Sequence, residues 1–130
     1  MDEGLADHLV AMGLPWLQEQ RDLHRKSARK LSGAEKQALA GYYDDATLDD
    51  VKLAVVERIA NPPFYDDLRA AGTPAFDISG AAGMAYIDCV VMVRAFHDSP
   101  SKRSILFHEL VHVVQFQILG PRRHLEMYLS

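Results

Sequence analysis

The chain has 130 residues, enough for one domain with a hydrophobic core and little more. Hydrophobic residues make up 48% and charged residues 25%, so the composition excludes disordered, collagen-like and disulfide-rich classes. The net charge of -4 argues against nucleic acid and anionic membrane as partners. No apolar run approaches the roughly 18 residues of a membrane-spanning helix. With an acidic N-terminus and a single cysteine, Cys89, we expect a soluble, cytoplasmic protein with a single domain over residues 1–130.

The first part of the chain, up to residue 45, is predicted to be helical. Large apolar residues recur at three- and four-residue steps over residues 5–30, which indicates a helix. We expect an interruption near Pro15, because proline is poorly tolerated inside a helix. Ser32 and Glu35 have the spacing of a capping box and predict a short helix up to about residue 43.

Two segments of the second part, residues 46–130, have the composition of strands. Residues 84–96 form a long run rich in β-branched side chains, which is typical of a strand. One strand cannot satisfy its own backbone groups, and the only credible partner is the segment 51–58. Between the two we expect a short helix over 63–71 and a loop over 72–83, which is rich in glycine.

A long helix is predicted near the C-terminal end of the chain. Ser99-Pro100 is typical of a helix start and Gly120-Pro121 of a helix end, so about residues 100–119 should be helical. A short last helix should follow Gly120. Apolar side chains occur on nearly every side of the long helix, which predicts a buried helix.

The predicted long helix contains the motif His108-Glu-Leu-Val-His112. Residues four apart face nearly the same direction on an α-helix, so the two imidazoles suit two ligands of one tetrahedral zinc ion. Glu109 lies ~100° further round the helix, where it can contact a metal-bound water instead of the metal. Composition alone gives this spacing in about one such chain in a hundred. The alternative, two hydrogen-bonded core histidines beside a paired glutamate, does not explain their joint spacing.

The segment from His108 to Gln115 resembles the active-site helix of zincin metallopeptidases. It is similar in particular to small bacterial zincin-like families whose helix reads HELxHxxQ, and the resemblance covers residues 84–129. It implies an α+β, mainly helical, zincin-like minimal domain with a small antiparallel sheet packed on the motif helix. The implied function is a zinc-dependent peptidase in which Glu109 is the general base. The strand 84–96 would bind an extended peptide or protein substrate by backbone hydrogen bonds.

The third protein ligand is where the chain departs from the zincin pattern. Zincins of the glutamate type take it from a helix well after the motif, whereas only eighteen residues follow His112. The candidates in that span are His124 and Glu126. Glu126 is favoured because a carboxylate completes the common set of two histidines and one glutamate. His97 and Asp98 are the next choices.

Two other functions stay open at this point. A non-catalytic zincin-like module, which binds a metal or a protein partner through an incomplete site, is favoured by the short segment after the motif. A helical regulatory or nucleic-acid-binding module built on the first half is disfavoured by the acidic charge. Gln115 is either a partner of a ligand or of the substrate backbone, or an ordinary hydrogen-bonded glutamine.

Overall fold

The structure is a computed structural model and describes residues 3–70, 72 and 78–129. The helices of this part are α1 (Glu3–Arg25), α2 (Gly33–Leu39), α3 (Asp45–Asp50), α4 (Phe64–Ala70), α5 (Arg94–His97) and α6 (Lys102–Leu129). The strands are β1 (Arg29–Lys30), β2 (Lys52–Val56), β3 (Gly83–Tyr86) and β4 (Cys89–Val93). The predicted α+β class is therefore confirmed, and none of these helices is both long and apolar enough to cross a membrane.

The four strands form one sheet in the order β1-β2-β4-β3. The predicted pairing of the segment 51–58 with the later strand segment is confirmed, with Leu53 opposite Val90. This pair is parallel, whereas β1 and β3 are antiparallel to their neighbours, so the predicted antiparallel sheet is wrong. The connection from β2 to β4 runs through α4 and β3 and is long enough for a parallel crossover.

The predicted single strand over 84–96 is also wrong, because this segment folds back on itself as a hairpin of β3 and β4. The chain turns at Ile87, whose φ of 64° lies in the left-handed region. Asp88 is fixed there by Arg21, which donates to both carboxylate oxygens at 2.7 and 2.8 Å, and by Arg25 at 3.2 Å. Both arginines belong to α1. Helix α5 begins directly after β4, at residue 94, where the predicted strand would have continued to residue 96.

The helices of the first half agree with the predictions in part. Helix α1 continues through Pro15, so the predicted interruption is wrong; burial of Leu9 and Leu17 offsets the hydrogen bond that proline removes. The capping box is confirmed: Ser32 Oγ accepts the Glu35 N–H at 3.1 Å, and Glu35 Oε1 accepts the Ser32 N–H at 2.7 Å. Helix α2 ends at residue 39, four residues before the predicted end.

Helix α3 was not predicted, and its first residue follows the cap Asp44, whose side chain accepts the Thr47 N–H at 2.8 Å. The helix predicted over 63–71 is confirmed from Phe64 to Ala70 as α4, and residue 71 lies outside the described part of the chain. Of the predicted loop over 72–83, residues 73–77 lie outside the described part of the chain. The other residues before β3 contain turns and bends without a helix.

The predicted long helix is confirmed as the first part of α6. Gly120, with φ 79° and ψ 158°, breaks the helical backbone, and a last helical segment follows from Pro121. The prediction of a helix buried on nearly every side is wrong. Phe107, Val111 and Ile118 are 38%, 39% and 75% exposed. The residues of α6 that lie in the core form one face: Leu106, Glu109, Leu110, Val113 and Phe116.

The carboxylate of Glu35 joins α2 to β1 and to the start of α6. Arg29 donates to both of its oxygens at 2.8 and 2.9 Å, and Lys102 Nζ lies 2.8 Å away. The Glu35 side chain is only 8% exposed. The hydrogen bonds from Arg29 first, and then those from Lys102 and from the Ser32 N–H, hold the pKa of Glu35 well below its ordinary value. This ion pair therefore fixes the first turn of the helix that carries the motif.

We expect Glu35→Gln to lower the free energy of unfolding at pH 7 by about 2 kcal/mol, between the values for exposed and buried ion pairs. A carboxylate with a lowered pKa stabilises the fold above its unfolded pKa and loses that effect as the pH falls toward its folded pKa. The difference between wild type and variant should therefore shrink below about pH 4.5, the ordinary pKa. Urea unfolding at pH 7 and pH 3 measures this, and an equal difference at both pH values would contradict it.

Candidate metal centre

The structure brings the three motif residues together in the second and third turns of α6. One ligand atom each from His108, Glu109 and His112 lies within 4.8 Å of the other two. The ring centroids of the two histidines are 5.0 Å apart, and Glu109 Oε1 is 3.9 Å from His108 Nε2. The i, i+4 spacing places both imidazoles on one side of the helix, as their positions in the sequence require.

Glu109 differs from the histidines in its burial. Its side chain is 8% exposed, whereas that of His108 is 70% exposed. Within the described ranges, the Glu109 carboxylate accepts no hydrogen bond, and the nearest group that can carry a positive charge is His108. Burial raises the pKa of Glu109, and His112 and His108 oppose that effect. Among the described residues no fully buried polar side-chain atom lacks a hydrogen-bond partner, so the Glu109 oxygens keep access to solvent, where a water, a metal or a substrate can reach them.

An open pocket of about 340 Å³ lies beside this carboxylate. The pocket is lined by Ala82, Gly83, Ser104, Ile105, His108 and Glu109. Strand β3, which begins at Gly83, is the edge strand of the sheet on this side. The pocket is therefore bounded on one side by the motif helix and on the other by the start of an edge strand, instead of the long strand 84–96 expected from the sequence.

Gly83 allows β3 to approach α6 at the motif. A Cβ atom at this position would lie 3.1 Å from Ile105 Cγ2, 3.3 Å from Glu109 Cγ and 3.3 Å from the Val91 carbonyl oxygen. These contacts are shorter than ordinary van der Waals separations. The absence of a side chain at Gly83 thus sets the distance between the sheet and Glu109.

We expect Gly83→Ala to destabilise the protein by about 1–3 kcal/mol, the usual cost of overpacking a core. The matched control is Gly33→Ala, where a Cβ would meet nothing within 4 Å. That control should be neutral or slightly stabilising, because alanine restricts the unfolded chain. Urea unfolding of both variants measures the difference, and an unchanged Gly83→Ala variant would show that the helix and the strand separate easily.

The structure does not bring Glu126 to the two histidines. Its carboxylate lies 3.6 Å from Arg122 on the same helical segment, and it is absent from the cluster of possible ligands. The residue of this segment that lies beside the motif is His124, with its ring centroid 5.7 Å from that of His112. A residue two positions further along a helix lies ~200° round its axis, so Glu126 and His124 point to different sides of the helix.

None of the other candidates for a third ligand joins the cluster of the motif. His97, the last residue of α5, and Asp98, which follows it, bond to each other at 2.9 Å, and His97 Nε2 is 3.4 Å from Arg29. His124 is hydrogen-bonded to Gln115, and its pKa is lowered by burial and by the neighbouring His112. Among the described residues, only the motif therefore forms a group of three possible ligands.

The donor set of the motif suits zinc, which accepts imidazole nitrogen and carboxylate oxygen. Two ligands of one tetrahedral zinc at 2.0–2.1 Å lie about 3.4 Å apart, and the ligand atoms here lie within 4.8 Å of one another. The His108 side chain, which would have to move closer, is 70% exposed and so has solvent around it. His108 and His112 could therefore supply two ligands of such an ion, with Glu109 beside them.

Comparison of the chain with protein-family models, with curated proteins and with solved structures finds no match. His108, Glu109 and His112 and their surroundings are therefore the features of this chain that bear on a metal and on an activity.

Proposed function

We propose that the chain is a zinc-dependent metallopeptidase that hydrolyses peptide bonds with Glu109 as the general base. The observation that carries the proposal is a largely buried carboxylate, which accepts no hydrogen bond from any described residue, beside two imidazoles on the same helix. The zincin resemblance of residues 108–115 supports it. A cytoplasmic location suits the single cysteine, Cys89, which is buried and unpaired.

Each motif residue would have a distinct part in the reaction. His108 and His112 would hold the zinc ion, which polarises the scissile carbonyl and lowers the pKa of bound water. Glu109 would accept a proton from that water and donate it to the leaving amine. The burial that raises the pKa of Glu109 favours the first of these two steps, since a carboxylate with a raised pKa is a stronger base toward water.

The substrate would be an extended peptide that reaches the pocket along β3. This strand pairs with β4 on one side and is the last strand of the sheet on the other. An edge strand can bind an extended chain through its backbone groups. The start of β3 lies against Glu109, so a bound peptide would pass the motif.

A mixture of unstructured peptides tests this function. Protein purified without a histidine tag should cleave some of the peptides, a chelator should abolish the cleavage, and added zinc should restore it. Mass spectrometry of the products identifies the bonds. If zinc-loaded protein cleaves none of a large and varied peptide mixture, the peptidase proposal is overturned.

The second candidate is a non-catalytic module that binds a metal or a protein partner. The observation that favours it is the position of Glu126, which is paired with Arg122 away from the histidines. This candidate predicts zinc binding without hydrolysis, so the peptide experiment separates it from the peptidase. It also predicts that Glu109→Gln leaves partner binding and stability nearly unchanged.

A further inference from the structure

Next to His112, the side chains of Gln115, Phe116 and His124 form a connected group that the proposed reaction does not use. We infer that Gln115 is a positioning residue that keeps the proton of His112 on Nδ1 and so leaves Nε2 to bind the metal. His124 in turn fixes the orientation of Gln115. The inference rests on the proposed function, because it assigns an outer partner to one of its metal ligands.

A single amide oxygen connects the two histidines. Gln115 Oε1 lies 2.9 Å from His112 Nδ1 and 3.2 Å from His124 Nε2. An amide oxygen has two lone pairs and can accept from both rings. It cannot donate, so each of these ring nitrogens must carry a hydrogen. A neutral His112 then has its free lone pair on Nε2, the nitrogen that bonds to no residue in the part of the chain described.

His124 is held in place from a second direction. Its ring stacks on Phe116, with centroids 3.9 Å apart and an angle of 19° between the planes. Phe116 is buried in the core. The positive φ at Gly120 turns the last helical segment so that His124, four residues later, lies against the preceding helix. The ring that donates to Gln115 is therefore anchored to the core.

The anchored ring of His124 restricts the rotamers of the Gln115 side chain. Gln115 is exposed, and an exposed glutamine normally samples several rotamers. Two hydrogen bonds to one oxygen select the rotamer that faces His112. Metal-binding histidines generally donate their other N–H to such a carbonyl oxygen, and loss of that partner typically weakens metal binding about 10–100-fold.

The arrangement also assigns a different role to His124 from that of a third ligand. Its Nε2 is bonded to Gln115, and the ring is absent from the group of ligand atoms within 4.8 Å. In this account His124 acts on the metal only through Gln115 and His112. Its substitution should therefore have a smaller effect on zinc affinity than substitution of His112.

The test uses metal-free protein labelled with ¹⁵N in its histidines. Long-range ¹H–¹⁵N spectra report which ring nitrogen carries the hydrogen, and His112 should be in the Nδ1–H form. In Gln115→Leu the Nε2–H form should appear, and the zinc dissociation constant should rise by about 10–100-fold. Gln115→Glu, which keeps an accepting oxygen, should retain the Nδ1–H form. Gln37→Leu, at another exposed glutamine on a helix, is the control and should change neither.

His124→Phe keeps an aromatic ring on Phe116 and removes the hydrogen bond, so it should weaken zinc binding less than Gln115→Leu. An Nε2–H form of His112 in wild type, or an unchanged zinc affinity in Gln115→Leu, would overturn the inference and leave the proposed metal site intact. A wild type that binds no zinc would instead overturn the proposed function itself. If Gln115→Leu does not fold, the wild-type spectrum alone decides.

Discussion

Zinc affinity should fall by more than 100-fold in His112→Ala, because this variant loses one of the two imidazoles that face the same site. Loss of a mere outer partner typically costs about 10–100-fold, so loss of a ligand should exceed that range. Competition with a chromophoric chelator measures the dissociation constant. The fold should persist, since His112 lies at the margin of the core and makes its hydrogen bond to Gln115 within the same helix.

The matched control for this variant is His8→Ala, an exposed histidine on α1 that is absent from the ligand cluster. Its zinc affinity should equal that of wild type. His108→Ala should behave like His112→Ala. Equal zinc affinity in wild type and in both motif variants would show that zinc binds elsewhere or not at all.

Glu109→Gln should lower peptide hydrolysis by about 10²–10⁴-fold, the usual contribution of a general base. Zinc affinity should change only a few-fold, because glutamine removes the base and not an imidazole ligand. The variant should be as stable as wild type or more stable, since glutamine has nearly the same size and no described residue donates a hydrogen bond that the carboxylate would lose. Initial rates, chelator competition and urea unfolding measure the three quantities.

Glu126→Gln is the control for Glu109→Gln, because it makes the same chemical change at the glutamate first favoured as a ligand. Its carboxylate is exposed and lies near Arg122, so hydrolysis and zinc affinity should be unchanged. A large loss of zinc in Glu126→Gln would mean that the last helical segment turns toward the motif on metal binding. A large loss of zinc in Glu109→Gln would make Glu109 a ligand instead of the base.

Local signals predicted the parts of the fold that depend on neighbouring residues. Ser32 and Glu35 satisfy each other across one turn, and Gly120 ends a helix through its own φ. The hairpin turn at Ile87 and Asp88 has no such signal. Its carboxylate is held by arginines more than sixty residues earlier in the chain, so only the tertiary structure fixes it.

The same distinction applies to the site. The proximity of His108 and His112 could be predicted from the sequence because four residues of helix fix their relative direction. Whether His124 or Glu126 lies near His112 could not be predicted, because the backbone at Gly120 changes the direction of every later side chain. Gly83 gave no functional signal either. Its importance appears only when β3 packs against Glu109.

A zinc ion bound by both motif histidines can be located by anomalous diffraction at the zinc edge. Crystals of untagged protein grown with one equivalent of zinc should give a single strong anomalous peak. The peak should lie about 2.0–2.1 Å from one ring nitrogen of His108 and one of His112. The Glu109 carboxylate should face the peak without ligating it. Anomalous density only at other residues, or none in zinc-soaked crystals with an accessible motif, would contradict the account.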